Sequence, residues 1–312
     1  MSHLPSLRNL LQAFLFLFLA WSSAAMAATP LVDTEWVKAH IGKPDVVFLD
    51  LQPAADYLRG HIPGAVNSNF DKDGWRVERV RDKVPDMLPE DTSKLASLIG
   101  GKLGMDNKTH VVIVPPGATN IDAGWATRIY WTFKVLGHDE VSILNGGMKA
   151  YTADKKNPLQ SGAVKAAPKT FTVNLRKDMI ATREDVKAAL NNRNVVLVDN
   201  RPEDQYAGIN RNPKATANGT LPGAKNVSSI WLTENGGGKF RSKEQLEALY
   251  KIANVPTKGS QINFCNTGHF AANGWFVAHE ILGNKDAKLY DGSMVEWTIT
   301  KAGPVEQKVK LP

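Results

Sequence analysis

Cysteine is almost absent from this chain, because Cys265 is the only one among 312 residues. A single thiol excludes an internal disulfide and a Cys-x-x-Cys pair. His61, in a glycine-rich turn, has no second histidine, cysteine or carboxylate at metal-ligand spacing. We therefore predict neither a metal nor another cofactor.

Clustered charge of one sign is lacking too. The formal net charge is +7, but the lysines and arginines are scattered along the chain. No basic helix or aromatic-interleaved basic strip is present, so nucleic acid is not an expected partner. A weakly positive surface would suit small anionic substrates.

Long apolar runs are confined to the N-terminus. Arg8 precedes the run 10–21, which is too short to span a bilayer, and Ala25-Met26-Ala27 fits a cleavage site. This pattern predicts a signal peptide over 1–27 and a periplasmic or secreted mature protein that has no membrane contact after cleavage. A free thiol is a liability in an oxidising compartment unless it is buried or used, which favours a functional Cys265.

An internal repeat fills the rest of the chain. The apolar runs 46–52 and 195–201 are each followed by a Pro-Gly-Ala turn, at 63–65 and 222–224. Asp50 and Asp199 are 149 residues apart, whereas Gly64 and Gly223 are 159 apart, so the second copy contains a ten-residue insertion. A period of this size indicates a duplicated domain.

Each copy has the pattern of a small α/β domain. Apolar runs of four or five residues alternate with helical segments, which predicts a mainly parallel sheet flanked by helices. The Lys-, Ala- and Pro-rich stretch 154–169 has no apolar period and predicts a linker. The predicted organisation is a first domain over 28–153, the linker over 154–169 and a second domain over 170–312.

Cys265 follows the apolar run 261–264 and precedes a helical pattern. Ligands of open parallel sheets bind at the carboxyl ends of the strands, and amides that open a helix favour a thiolate. The alternative is a buried, inert cysteine that acts as a small hydrophobe. The predicted cradle around the thiol consists of five consecutive residues, Asn266, Thr267, Gly268, His269 and Phe270.

These motifs, in this order and duplicated, resemble the tandem-domain rhodanese family of thiosulfate/3-mercaptopyruvate-type sulfurtransferases. The residues that carry the resemblance are Asp50 with the 60–65 turn, 199–201 with the 219–224 turn, the Cys265 loop and the closing motif 291–297. It implies two rhodanese-like domains and a nucleophile in the second. It also implies ping-pong transfer of a sulfane sulfur, through a Cys265 persulfide, from a donor such as thiosulfate to cyanide or a thiol.

The first domain is expected to be non-catalytic. Its matching loop begins Pro115-Pro116-Gly117, which has no thiol and lacks two backbone donors. A phosphatase is disfavoured as well, because Ala271 stands where a Cys-x5-Arg loop would place its arginine.

The identity of the donor stays open. Thiosulfate-specific members often carry basic residues directly after the cysteine, whereas Asn266 and Thr267 stand here. Arg201 is a candidate substrate ligand or a structural ion-pair partner, and His269 could contact the substrate or face solvent. Further cations, Arg211 and Lys214, lie in the insertion.

Two functions remain after this comparison. The first is a sulfurtransferase with a small anionic sulfur donor and a thiol or cyanide acceptor. The alternative is a non-turnover sulfur carrier or partner-docking module, which the missing basic pair and the silent first domain would suit. A monomer is expected, because no exposed heptad pattern or long apolar edge demands assembly.

Overall fold

Short apolar runs form the strands of two parallel sheets in the computed structural model, which describes residues 28–311. The first unit contains β1 (Leu31–Val32), β2 (Val46–Asp50), β3 (Val66–Asn67), β4 (Val77–Arg79), β5 (Val84–Met87), β6 (His110–Val114) and β7 (Val141–Leu144). The second contains β8 (Ile180–Ala181), β9 (Val196–Asp199), β10 (Lys225–Asn226), β11 (Gln261–Phe264) and β12 (Ala287–Tyr290).

Both sheets have five strands in the same order. The first runs β1-β7-β6-β2-β3 and the second runs β8-β12-β11-β9-β10, and every pairing within them is parallel. The central strands β6 and β11 are buried on both faces, which suits the apolar run 111–114 of β6, whereas β11 alternates Gln261 and Asn263 with the apolar Ile262 and Phe264. The predicted duplicated α/β fold is thus confirmed. The remaining strands β4 and β5 form an antiparallel hairpin that projects from the first unit.

Helices flank the two sheets. Those of the first unit are α1 (Thr34–His40), α2 (Ala54–Arg59), α3 (Ser93–Ala96), α4 (Asn120–Val135) and α5 (Gly147–Tyr151). Those of the second are α6 (Arg183–Ala189), α7 (Glu203–Ala207), α8 (Lys243–Ile252), α9 (His269–Phe276) and α10 (Ser293–Ile299). Within residues 28–311, none of the helices combines the length and the apolarity that crossing a bilayer would require.

The two units meet along α4 and α9. Tyr130 of α4 packs edge-on against Phe276 of α9, with ring centroids 4.9 Å apart. Thr127 donates a hydrogen bond from its hydroxyl to the side-chain oxygen of Asn273, at 2.9 Å. Gly124 provides close approach, because a Cβ there would lie 3.5 Å from the carbonyl oxygen of His269. The apolar contacts across this seam join the two units into one core.

The segment predicted as a linker, 154–169, contains no helix or strand and lies along the first unit, where His61 and Gln160 exchange backbone hydrogen bonds of 2.9 Å. Phe171 also packs against the first unit, edge-on to Phe133. The first strand of the second sheet begins at Ile180. The predicted signal peptide 1–27 lies outside the described residues.

The two units differ in the partners of an equivalent buried carboxylate. Asp199, at the end of β9, pairs with Arg201, whereas Asp50, at the end of β2, accepts hydrogen bonds from the backbone and side chain of Gln52. Burial, only partly offset by those hydrogen bonds, raises the pKa of Asp50 to about 6.

We predict that Asp50→Asn stabilises the protein at pH 7.5 but not at pH 4. The folded-state pKa lies above the unfolded value, so stability is full below about pH 4 and is lost as pH rises through about 6. The loss is up to about 3 kcal/mol for a shift of this size. Urea unfolding at both pH values measures it.

The matched control is Asp199→Asn in the second unit. It should destabilise the fold by about 3 kcal/mol, because it leaves the buried Arg201 without its counter-charge. Equal effects of Asp50→Asn at the two pH values would contradict the prediction.

Candidate functional site: the Cys265 pocket

Cys265 lies where the central strand β11 ends, between β9 and β12. Its backbone N–H donates to the hydroxyl oxygen of Ser293 at 3.0 Å, and its carbonyl accepts from the N–H of Met294, also at 3.0 Å. The same hydroxyl donates to the carbonyl of Tyr290 and lies 4.0 Å from the cysteine sulfur. Ser293 has a positive φ of 50°, a strained conformation that these contacts maintain. The start of α10 therefore fixes the position of the cysteine.

The loop after Cys265 leads directly into α9. Gly268, with φ of +81°, is the N-cap of this helix, and its carbonyl accepts from the N–H of Ala272. In the described part of the chain, the N–H groups of residues 266–270 donate to no protein acceptor. Unpaired amides at a helix N-terminus create a positive field that favours an anion. The loop is thus suited to hold a negatively charged sulfur.

Cys265 opens into a pocket of about 190 Å³. The side chain of Cys265 is only 2% exposed, so a small molecule could reach it through the pocket but a protein surface could not contact it directly. The lining consists of Cys265, Asn266, Thr267, His269 and Phe270 of the predicted cradle, together with Ile121 of α4 and Asn212 of the insertion.

The side-chain amide of Asn266 is directed toward α7, where its Nδ2 donates a hydrogen bond to Oε1 of Gln205 at 2.8 Å. Its own Oδ1 is buried and accepts no hydrogen bond within the described residues. Thr267 is half-buried and lines the pocket. The positions where basic residues would bind a sulfonate are therefore occupied by neutral groups.

Arg201 does not lie in this pocket. Its Nε is 3.0 Å and its Nη2 2.6 Å from the carboxylate of Asp199, and Nη2 also donates to the carbonyl of Gly219 at 2.8 Å. The side chain is 1% exposed. Of the two interpretations of Arg201, this geometry supports the structural ion pair. Arg211 likewise donates to the carbonyl of Ala215 rather than to the pocket.

His269 lies between the two units. Its ring is edge-on to Phe70 of the first unit, with centroids 5.1 Å apart, and its Nε2 is buried without a hydrogen-bond partner in the described part of the protein. Burial first, and then the charges of Arg128, Arg76 and Lys214, hold the pKa of His269 well below its ordinary value. The imidazole is therefore neutral at physiological pH.

Sequence reasoning identified Lys214 but missed Arg76 and Arg128, because these two cations come from the first unit. Arg76, in the segment before β4, pairs with Asp71 and Asp86, and its guanidinium lies 5.1 Å from the ring of Phe70. Lys214 of the insertion reaches the same Asp86 at 2.7 Å. The available signal was the charge-rich stretch 71–91, whose position over the second unit no local pattern indicates.

A buried ion pair joins the units beneath the cysteine loop. Arg128 of α4 pairs with Asp291, which follows β12, and the two side chains are 1% and 7% exposed. Asp291 also accepts from the N–H of Leu88 at 2.6 Å. A Cβ at Gly268 would lie 2.8 Å from Oδ1 of Asp291 and closer still to Arg128, so this position requires glycine.

Comparison with known proteins decides the family. The model of the rhodanese-like domain matches residues 33–154 and again 182–300. The chain belongs to the rhodanese family. The cattle thiosulfate sulfurtransferase is 32% identical over 285 residues, which cover 86% of this chain and 91% of that protein. The sulfur carrier protein TtuD of Thermus thermophilus is 32% identical over 279 residues, with 86% and 93% covered.

A solved structure supports the same assignment. The rhodanese fold of SseA, a 3-mercaptopyruvate sulfotransferase from Escherichia coli, superposes with a TM-score of 0.73 at 26% identity, covering 85% of this chain and 99% of SseA. This rhodanese is thus a sulfurtransferase enzyme, as its motifs predicted, and the resemblance in its sequence is confirmed.

We predict that Gly268→Ala disrupts this rhodanese far more than a matched change elsewhere. Strain at positive φ and overpacking against Arg128 and Asp291 should together cost about 3 kcal/mol. Displacing the loop should lower the sulfurtransferase turnover by more than about tenfold. Urea unfolding and steady-state turnover measure the two effects.

The control is Gly223→Ala, where φ is +75° but a Cβ meets nothing within 4 Å. It should lose only about 1 kcal/mol, from backbone strain, and keep its turnover. Similar losses in both variants would show that strain alone, and not the ion pair under the loop, makes Gly268 necessary.

Proposed function

We propose that the enzyme transfers a sulfane sulfur in a ping-pong reaction through a persulfide on Cys265. The observation that carries the proposal is the set of unpaired amides from 266 to 270 that follows a cysteine lining a small pocket. These amides would stabilise first a thiolate and then the negative persulfide. A separate general base is then unnecessary.

The proposed chemistry has two displacements at sulfur. The thiolate of Cys265 attacks the outer sulfur of a donor such as thiosulfate, a new S–S bond forms, and sulfite leaves with the electrons of the broken S–S bond. Cyanide or a thiolate then attacks the terminal sulfur. The new bond to the acceptor forms while the electron pair of the persulfide bond returns to Cys265.

A small anionic donor fits the surroundings of the pocket. Arg128, Arg76 and Lys214 are close enough to lower the pKa of His269, although each also pairs with an aspartate. None of these cations lines the pocket. We propose that they attract the donor at a distance while the loop amides bind it.

We further propose that the protein is exported and acts as a monomer in the periplasm or outside the cell. The supporting pattern is Arg8, the apolar run 10–21 and the Ala-Met-Ala site. The burial of Cys265 would protect its thiol from oxidation in that compartment.

Mass spectrometry tests the persulfide. After incubation with thiosulfate alone, the protein should gain the mass of one sulfur atom, about 32 Da, on Cys265. Adding cyanide should remove the adduct and release thiocyanate in equal amount. Cys265→Ser should show neither. Turnover by Cys265→Ser, or the same adduct on it, would disprove the proposal.

A second candidate function is a sulfur carrier that passes its persulfide to a partner protein. The neutral pocket lining and the similarity to a protein named as a sulfur carrier both favour it. Single-turnover decay of the persulfide separates the two functions. Fast transfer to cyanide supports the enzyme acting on small molecules, whereas a persulfide that resists cyanide but reacts rapidly with a protein thiol supports the carrier.

We predict that His269 contributes no charge to the reaction. Because its pKa lies well below the ordinary value, the imidazole should stay neutral between pH 6 and pH 8. The kcat/KM of His269→Gln should therefore follow pH in the same way as that of the wild type over this range. An inflection near pH 6.5 that disappears in His269→Gln would contradict this prediction.

A further inference from the structure

A second and larger cavity, of about 330 Å³, opens at the same edge of the second sheet. It lies at the carboxyl ends of β12 and β8 and is covered by Met87, Leu88 and Pro89 of the first unit. Asp291 lines this cavity, and Cys265 does not. The ion pair of Asp291 with Arg128 therefore stands between the cavity and the cysteine loop. The volume is in the range of small-molecule sites.

A buried hydroxyl in the cavity wall has no well-formed hydrogen bond within the described residues. Tyr290 is 1% exposed, and its Oη lies near the carboxylate of Glu296 without the geometry of a regular hydrogen bond. Burial, followed by the nearby carboxylate of Glu296, raises its pKa, so the group stays a neutral hydroxyl. A buried hydroxyl without a good hydrogen bond is unfavourable, and a ligand in the cavity could supply one.

Two charged groups in the wall also have free atoms. Arg183 approaches Glu184 at 3.3 Å through Nε and Glu296 at 3.9 Å through Nη1, while its Nη2 donates to no acceptor in the described part. Glu296 pairs through Oε1 with Arg79, and its carboxylate also lies beside the hydroxyl of Tyr290. The wall further contains Arg79, Arg81, Glu90, Glu184 and Asp291, so Arg183 and Glu296 are one cationic donor and one anionic acceptor among several charged groups.

The rest of the wall combines these charged groups with an apolar part. Trp131 of α4, Leu88, Leu175 and Ile180 contribute its apolar side chains. A ligand that matches all three features carries a carboxylate, an ammonium group and an apolar side chain.

We propose that this cavity binds a small zwitterionic α-amino acid with an apolar side chain. Its carboxylate pairs with Arg183, and its ammonium group donates to Glu296 and to the hydroxyl oxygen of Tyr290. Its side chain packs against Trp131. No contact in this arrangement involves Cys265, so the proposal does not depend on the sulfur-transfer mechanism.

Isothermal titration with L-phenylalanine tests the proposal. The wild type should bind one equivalent, Arg183→Gln should bind at least about tenfold more weakly, and Tyr290→Phe several-fold more weakly. L-Phenylalaninamide and 3-phenylpropanoate, which each lack one charge of the zwitterion, should also bind at least about tenfold more weakly. Lys187→Gln, an exposed change on the same helix as Arg183, is the matched control and should bind like the wild type.

Three results would overturn the proposal: no binding by the wild type up to 10 mM, unchanged affinity in Arg183→Gln, or loss of binding in Cys265→Ser. The last would place the ligand in the cysteine pocket. Arg183 is about one-third exposed, so its variant should fold, which thermal unfolding checks. Sulfur transfer assayed without amino acid separates a failure here from a failure of the proposed mechanism.

Discussion

The arrangement of the active site depends on one buried ion pair, between Arg128 of the first unit and Asp291 of the second. Removing both charges from water is expensive, so such a pair adds little net stability, but its geometry is specific. Here it lies against the backbone of Gly268, and Asp291 also holds the N–H of Leu88. Loss of either partner would leave an uncompensated charge directly under the cysteine loop. The first unit, which has no thiol of its own, is therefore a necessary part of the site.

Duplication preserved the scaffold of this loop and changed its chemistry. In the first unit the N–H of Met148 donates to the carbonyl of Pro115 at 2.8 Å, and in the second the N–H of Met294 donates to the carbonyl of Cys265 at 3.0 Å. The backbone anchor is the same in both copies. The proline has neither a thiol nor an N–H, so the first copy can provide the anchor without the nucleophile. In the proposed mechanism, one unit would carry out the reaction and the other would support it.

Most of the fold and the position of Cys265 could be predicted from the sequence because both rest on local patterns. Strands such as β2 and β6 contain short continuous apolar runs, and the loop residues follow their strand directly. The role of Arg201 could not be predicted, since only the fold reveals that Asp199 and Gly219 bind it. The cations beside His269 were missed for the same reason, because Arg76 and Arg128 approach it from a different unit.

The layering of charge around Cys265 bears on the choice between the two proposed functions, turnover and sulfur storage. Neutral side chains line the pocket, the amides of 266–270 are unpaired within the described residues, and the cations near His269 do not line it. Such a layer stabilises charge on a persulfide wherever it comes from, with little geometric selection of the donor. Stabilising the intermediate speeds its formation, but it slows the second step unless the departing thiolate is stabilised equally. If, in the proposed mechanism, the same amides stabilise the persulfide and the departing thiolate, the acceptor's approach to the 190 Å³ pocket would set the rate of release.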